Sequence, residues 1–158
     1  MPRYFCVYLL AALLPNKKFR TYIGSTNHFA RRLRQHNGFI TGGARTTKRI
    51  SHSHRYPLFP ILIVQGFSKL AYARAFEWRA KHIRADPRHR WRDERCRLLH
   101  PRVRKILTLL HQKKWTRKCP DSTTESLRVV WFPSSRRLWM RPRQTKRYLP
   151  DHVEQVML

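Results

Sequence analysis

The sequence predicts a mixed α/β domain: a small, mainly antiparallel central sheet of about three strands, flanked by helices and extended by a later helix and strand. Three observations point there. Runs dense in aromatic and branched residues recur at 4–10 (YFCVYLL), 20–24 (RTYIG) and 58–64 (LFPILIV), which is the composition of strands. Stretches with helical caps or helical spacing follow the second and third runs. Turn-forming residues separate the two kinds of segment.

Residues 4–10 read as a strand buried on both faces. Pro15, Asn16 and the two lysines after them supply a turn, and Arg20–Gly24 completes a hairpin whose loop exceeds two residues. Asn27 is placed to cap a helix from about His28 to His36, which Asn37 and Gly38 stop. From Gly38 to Tyr56 the chain is rich in Gly, Thr, Ser and basic residues without an apolar period, so it reads as an exposed loop, of a length that usually carries function. In the third strand Pro60 implies an edge position, a bulge or a later start. Ser68 is placed to cap a helix reaching about Arg84, with Leu70, Ala73, Phe76, Glu77 and Lys81 at helical spacing. A further helix runs from Pro101 to about Lys114 on the stripe Val103, Ile106, Leu107, Leu110, its opposite side basic. LRVVWF at 127–132 reads as the late strand, and Pro133–Leu158 as an irregular tail. The chain therefore divides into a main domain at 1–90, a helical extension with a late strand at 91–132, and a basic, proline-containing tail at 133–158.

Charge narrows the function. The 158 residues hold 35 Lys and Arg against 8 Asp and Glu, a formal net charge of +27. Such a surface repels itself unless a polyanion takes up the field, and nucleic acid does so by releasing counterions. A structural nucleic-acid-binding protein with no chemistry has the same charge signature. With 41% apolar residues the chain is too hydrophobic to be disordered throughout. Cys6, Cys96 and Cys119 are widely spaced and odd in number, so neither a CxxC zinc site nor a disulfide framework can be read from them, and a reducing compartment is the default. No apolar stretch reaches the roughly 18 to 20 residues that span a bilayer. The run Phe5–Leu14 imitates a signal-peptide core but lacks an A-x-A-like cleavage site.

Four features stand in order along the chain: Cys6-Val7-Tyr8, Tyr22-Ile23-Gly24, Arg32 with His36, and Glu77 within Phe76-Glu77-Trp78. Arg32 and His36 are four apart and so share one face of a helix, where both can address one phosphate. Gly24 ends the second strand without a side chain, allowing a close approach of backbone and ligand. Each residue also has a plainer reading: Tyr8 and Tyr22 as core aromatics, Arg32 as a solvated phosphate contact, His36 as a helix cap, Glu77 as a surface partner of Lys81.

Together, on strand, strand, helix and helix, the four features resemble the GIY-YIG nuclease superfamily. Within it, VYLL, RTYIGST, ARRLRQHNG, GGA, TKR, ILIVQGF and AFEW resemble the eukaryotic structure-specific endonuclease small subunit. The resemblance is densest from Phe5 to Trp78. It implies the GIY-YIG fold and metal-dependent cutting of branched DNA (flaps, forks, Holliday junctions) in repair and recombination, in the nucleus. It implies that Glu77 holds a divalent metal, Mg²⁺ or Mn²⁺, and that Arg32 stabilises transition-state charge. Tyr8 and Tyr22 would orient or deprotonate the attacking water, and His36 would assist by hydrogen bonding. Branched DNA and a scaffold subunit are the implied partners. Where the family has Gly before Val-Tyr this chain has Cys6, and the family's RING-like zinc domain finds no cysteine cluster to match it here. Candidate DNA contacts are Arg31 and Arg34, then Arg45, Lys48, Arg49 and Arg55 in the basic loop, then Arg102 and Lys105 for a second duplex arm. His52-x-His54 is assigned no ion. The rival readings are a catalytically silent basic binder and a mobile-element endonuclease that selects its target by sequence.

Overall fold

The computed structural model describes residues 4–52, 57–83, 101–138 and 149–158. In chain order these form β1 (Phe5–Leu13), β2 (Phe19–Thr26), α1 (Phe29–His36), α2 (Arg45–His52), β3 (Phe59–Phe67), α3 (Leu70–His82), α4 (Pro101–Leu110), β4 (Arg128–Trp131) and β5 (Glu154–Met157), with 3-10 turns at Ser122–Thr124 and Pro133–Leu138. The sheet runs β2-β1-β3-β4-β5. Its pairings are antiparallel except that of β4 with β5, which is parallel.

The mixed class and the mainly antiparallel sheet are as expected, but the sheet has five strands where about three were expected. The late strand joins as β4 beside β3. Residues read as irregular tail add β5, whose short sequence EQVM carries little strand signal; it is held by its ladder to β4 and by Arg128, whose Nε and Nη2 both lie 2.7 Å from the Glu154 carboxylate.

β1 is paired along both edges and packed against on both faces, so its sequence lacks a polar alternation. Val7, Leu9 and Ala11 face a core shared with α3 and α4, where Phe67, Phe76 and Trp115 meet edge to face at 5.2–5.5 Å between ring centres. Cys6, Tyr8, Leu10 and Ala12 face the other way, against Phe29 and Leu33 of α1.

Pro60 sits in an interior strand at a register irregularity opposite Leu10, so of the three options for this proline the bulge holds. Its carbonyl accepts a hydrogen bond from the Ser134 hydroxyl. Three helix boundaries differ from expectation. α1 is capped by His28 and not by Asn27: His28 Nδ1 accepts from the Arg31 amide at 3.2 Å, while the Thr26 hydroxyl accepts from the His28 amide. α3 has Lys69 at its N-cap without a side-chain bond. Ser68 instead gives both its amide (2.7 Å) and its hydroxyl (2.8 Å) to the buried carboxylate of Glu125. α4 stops at Leu110, and the Trp115 indole beyond it donates to the Leu109 carbonyl. Arg84, the expected end of α3, lies outside the described residues.

The expected loop after Gly38 holds a helix, α2. Gly42 and Gly43, both at positive φ, pack on the end of α1: a Cβ on Gly43 would stand 2.8 Å from the Gln35 carbonyl oxygen, and one on Gly42 would strike the Gln35 side chain. The turn delivers Thr47 to a fully buried position. Among the described side chains of α2 the buried one is Thr47, a polar contact that periodicity does not reveal.

Candidate active site

Tyr8 on β1 and Tyr22 on β2 lie on the sheet face covered by α1, since Tyr8 pairs with Gly24 and Leu10 with Tyr22. Their ring centres are 6.3 Å apart, and His36 is 5.6 Å from the first and 4.9 Å from the second. Gly24 has a definite task besides the close ligand approach expected of it. A Cβ there would run into the Tyr8 hydroxyl, so the missing side chain makes room for the phenol.

His36 is not a helix cap but wholly buried. The cap is Asn37, whose side chain holds the amide and carbonyl of Leu58. The Thr47 hydroxyl donates to the Ala44 carbonyl at 2.8 Å and therefore accepts from His36 Nδ1 at 2.7 Å. That leaves His36 Nε2 as the acceptor for the Tyr8 hydroxyl, also at 2.7 Å. The proton order fits the electrostatics: burial first, and the Arg32 guanidinium second, lower the His36 pKa to about 4, so the ring is neutral at physiological pH. Burial pushes the Tyr8 phenol well above its ordinary value; Arg32 opposes this, and Tyr22 and Glu77 add to it. Cys6, at the position of the family glycine, fits in the same layer, and burial pushes its thiol up to about 12, so it is no nucleophile.

Arg32, half-buried one turn before His36, donates from Nη1 to Gln35 Oε1 at 2.9 Å. Gln35 in turn donates to the Thr41 carbonyl at 3.2 Å. Arg31 and Arg32 of α1 and Arg74 of α3 line a cleft of about 460 Å³, together with Ser25, Thr26 and His28.

Glu77 reaches the group around edge strand β2. Ser25, the residue after Gly24, points to the α3 side and donates to Glu77 Oε2 at 2.5 Å. Lys81 donates to Oε1 at 2.5 Å, and its ammonium lies 5.7 Å from the centre of the Tyr22 ring. The plainer reading of Glu77 as a partner of Lys81 is thus true, but the carboxylate also touches Ser25 on the edge strand of the sheet. It is a hard oxygen donor, its side chain 19% exposed. Among the described residues no three His, Cys, Asp or Glu side chains gather to hold an ion. These residues fit one hard divalent cation with a single protein carboxylate, its other positions filled by water and phosphate oxygens.

The five sequence-selected residues therefore converge. Of the selected DNA contacts, Arg31 lines the cleft, while Arg34, Arg45, Lys48 and Arg49 lie on α1 and α2, in the layer of the site. Arg102 and Lys105 lie on α4, across the sheet from α1. Arg55 and His54 lie outside the described residues. Sequence reasoning passed over Ser25, Thr47, Lys81 and Arg74 as members of the site. The first two stood inside the quoted motifs RTYIGST and TKR, and Lys81 inside a recognised i,i+4 pair. Arg74 carried no signal beyond its charge.

A short hairpin, a helix and a return strand that present two phenols, an arginine and an imidazole, with a carboxylate at the sheet edge, define a nuclease-like centre. The chain belongs to the GIY-YIG family: residues 4–90, more than half its length, match the GIY-YIG catalytic domain. Similar proteins include the structure-specific endonuclease subunit slx1 of Aspergillus niger, 40% identical over 89 residues that cover 56% of this chain and 20% of that protein. The one from Talaromyces marneffei is 42% identical over 83 residues, 52% of this chain and 20% of the relative. Human structure-specific endonuclease subunit SLX1 is 38% identical over 121 residues, 73% of this chain and 42% of the human protein. The match thus spans about a fifth of these fungal relatives and less than half of the human one.

Proposed function

We propose that this chain is a metal-dependent endonuclease that cuts branched DNA, such as flaps, forks and Holliday junctions, in repair and recombination in the nucleus. The observation that carries the reading is the convergence of Tyr8, Tyr22, Arg32, His36 and Glu77 around one end of β2, beside a cleft lined by three guanidinium groups. The names of the similar proteins supply the substrate class, and the net charge of +27 supports a polyanion.

Hydrolysis joins a water oxygen to phosphorus and breaks the bond to one deoxyribose oxygen, which leaves as an alkoxide and takes up a proton. Arg32 faces the charge that grows on the phosphoryl oxygens. Tyr8, held protonated against neutral His36, orients its neighbours and is a poor base. Tyr22, beneath the Lys81 ammonium, is then the phenol that orients the attacking water, and only after giving up its own proton to solvent would it, as phenolate, take the proton of that water. Glu77 would hold Mg²⁺ or Mn²⁺, which when bound polarises the phosphate and offsets leaving-group charge. Arg31, Arg34, Arg45, Lys48, Arg49 and Arg55 would grip the backbone near the cut, and Arg102 and Lys105 a second arm on the far layer. A scaffold subunit is a proposed partner, because the similar proteins are named as subunits.

The test is incubation of purified protein, alone and with a scaffold subunit, with flap, fork, junction and plain duplex DNA in Mg²⁺, Mn²⁺ or EDTA. Incision of branched substrates, abolished by EDTA, is expected. No cut in any substrate would make the chain a silent binder, and cutting of duplex at one preferred sequence would make it a mobile-element type.

A further inference from the structure

We propose that Trp78, backed by His82, is a stacking platform for an unpaired base of the substrate, so that α3 carries the active-site carboxylate and also reads the branch. The inference rests on the reading above that the neighbouring cleft holds DNA.

The buried side of α3 is Ala73, Phe76 and Ala80. On its open side Arg74, Trp78 and His82 follow one another at intervals of four and so form a single row. Trp78 is 54% exposed, unusual for a side chain that is highly buried on average. It is not a loose surface ring. The His82 imidazole stacks on it at 4.5 Å between ring centres and 23° between planes. His82 Nδ1 donates to the Trp78 carbonyl at 2.7 Å, which fixes that ring's orientation. Two parallel aromatic rings held this way offer a preorganised π surface to whatever meets the helix.

The surroundings favour an anionic partner over an apolar protein segment, and the reading of the cleft as a DNA site makes that partner a nucleotide. Glu77 is the only acid of α3, and it is turned toward Ser25 and Lys81. One turn before Trp78, Arg74 lines the cleft with Arg31 and Arg32. The indole thus stands one helical turn from the cleft, within reach of a strand whose phosphates occupy it. A base within a duplex has both faces covered by its neighbours, whereas a base unstacked at a branch has a face to give. Aromatic stacking tolerates any base, so this platform senses structure and not sequence.

Flap DNA carrying 2-aminopurine at successive positions next to the branch tests this in EDTA, where binding is read without cutting. The wild-type protein should quench one position. Trp78→Ala, an exposed change, should lose the quench and weaken flap binding roughly tenfold while leaving plain-duplex affinity unchanged; Trp78→Phe should retain most of both. An abasic nucleotide at the quenched position should remove the difference between wild type and Trp78→Ala. Equal flap affinity of the two proteins, no position quenched, or an equal loss on duplex and flap would overturn the platform. So would a Trp78→Ala protein that binds flap DNA normally and fails only to bind a scaffold subunit. Flap binding with no incision after Mg²⁺ is added overturns the nuclease reading alone, and wild-type protein that binds no DNA overturns both.

Discussion

The two faces of the sheet solve opposite problems with the same strand. Toward α3 and α4, β1 offers Val7, Leu9 and Ala11 to a dry core of interlocking aromatic rings. One residue out of phase, it offers Tyr8, whose hydroxyl cannot be buried without a partner. The chain Tyr8–His36–Thr47–Ala44 satisfies it, each member fixing the proton of the next. Packing on the first face is non-directional and supplies cohesion. The hydrogen bonds on the second are directional and supply a single arrangement, so stability and site geometry are separable by face.

The separation makes graded demands on mutants. Phe76→Ala removes a wholly buried ring on the dry face and should destabilise the protein by about 3–5 kcal/mol, read by denaturant unfolding; a loss under about 1 kcal/mol would show that cohesion lies elsewhere. Glu77→Gln should slow incision by about 10²–10³-fold with an unchanged unfolding midpoint and nearly normal DNA binding. Arg32→Ala should match it in rate and also weaken binding; normal cutting by Glu77→Gln would remove the carboxylate from the mechanism. Thr47→Val keeps the shape but leaves His36 Nδ1 without its acceptor, a cost of about 1–3 kcal/mol. It should slow cutting through a disordered Tyr8, and Thr47→Ser should restore the rate, whereas equal rates in all three proteins would detach the network from function.

Acid provides a perturbation that needs no substitution. Because the folded protein holds the His36 pKa near 4, below its ordinary 6.5, the unfolded chain binds more protons between these values. The contribution of His36 is full above about pH 6.5 and is lost as pH falls toward 4. The midpoint of unfolding should fall across that window, and His36→Gln should flatten the profile; an unchanged slope would place the titration in other groups. Least of all, Lys105→Ala on the far layer should lower the salt dependence of junction binding by about one unit of slope, with no change in incision rate at saturating DNA.

The site was legible where its chemistry is written in residue type and helical spacing. Arg32 and His36 share a face because four residues separate them, and Tyr8 and Tyr22 were fixed to strands by their apolar neighbours. What escaped was whatever depended on partners distant in sequence. Thr47 looks like one more polar residue in a basic stretch until the glycine pair folds it under α1. Glu125 carries no sign that it will serve Ser68, 57 residues earlier. β5 is too short and too polar to announce itself, because it is specified by the neighbour it pairs with.

The match to the GIY-YIG catalytic domain spans residues 4–90, but the cohesion of that segment does not stop there. Trp115 closes the ring cluster around Phe67 and Phe76, and Glu125 holds the lead-in to the helix that bears Glu77. Anyone excising residues 4–90 alone for crystallisation or fusion would strip away the cover from that segment's greasiest side and loosen the very helix they wished to keep.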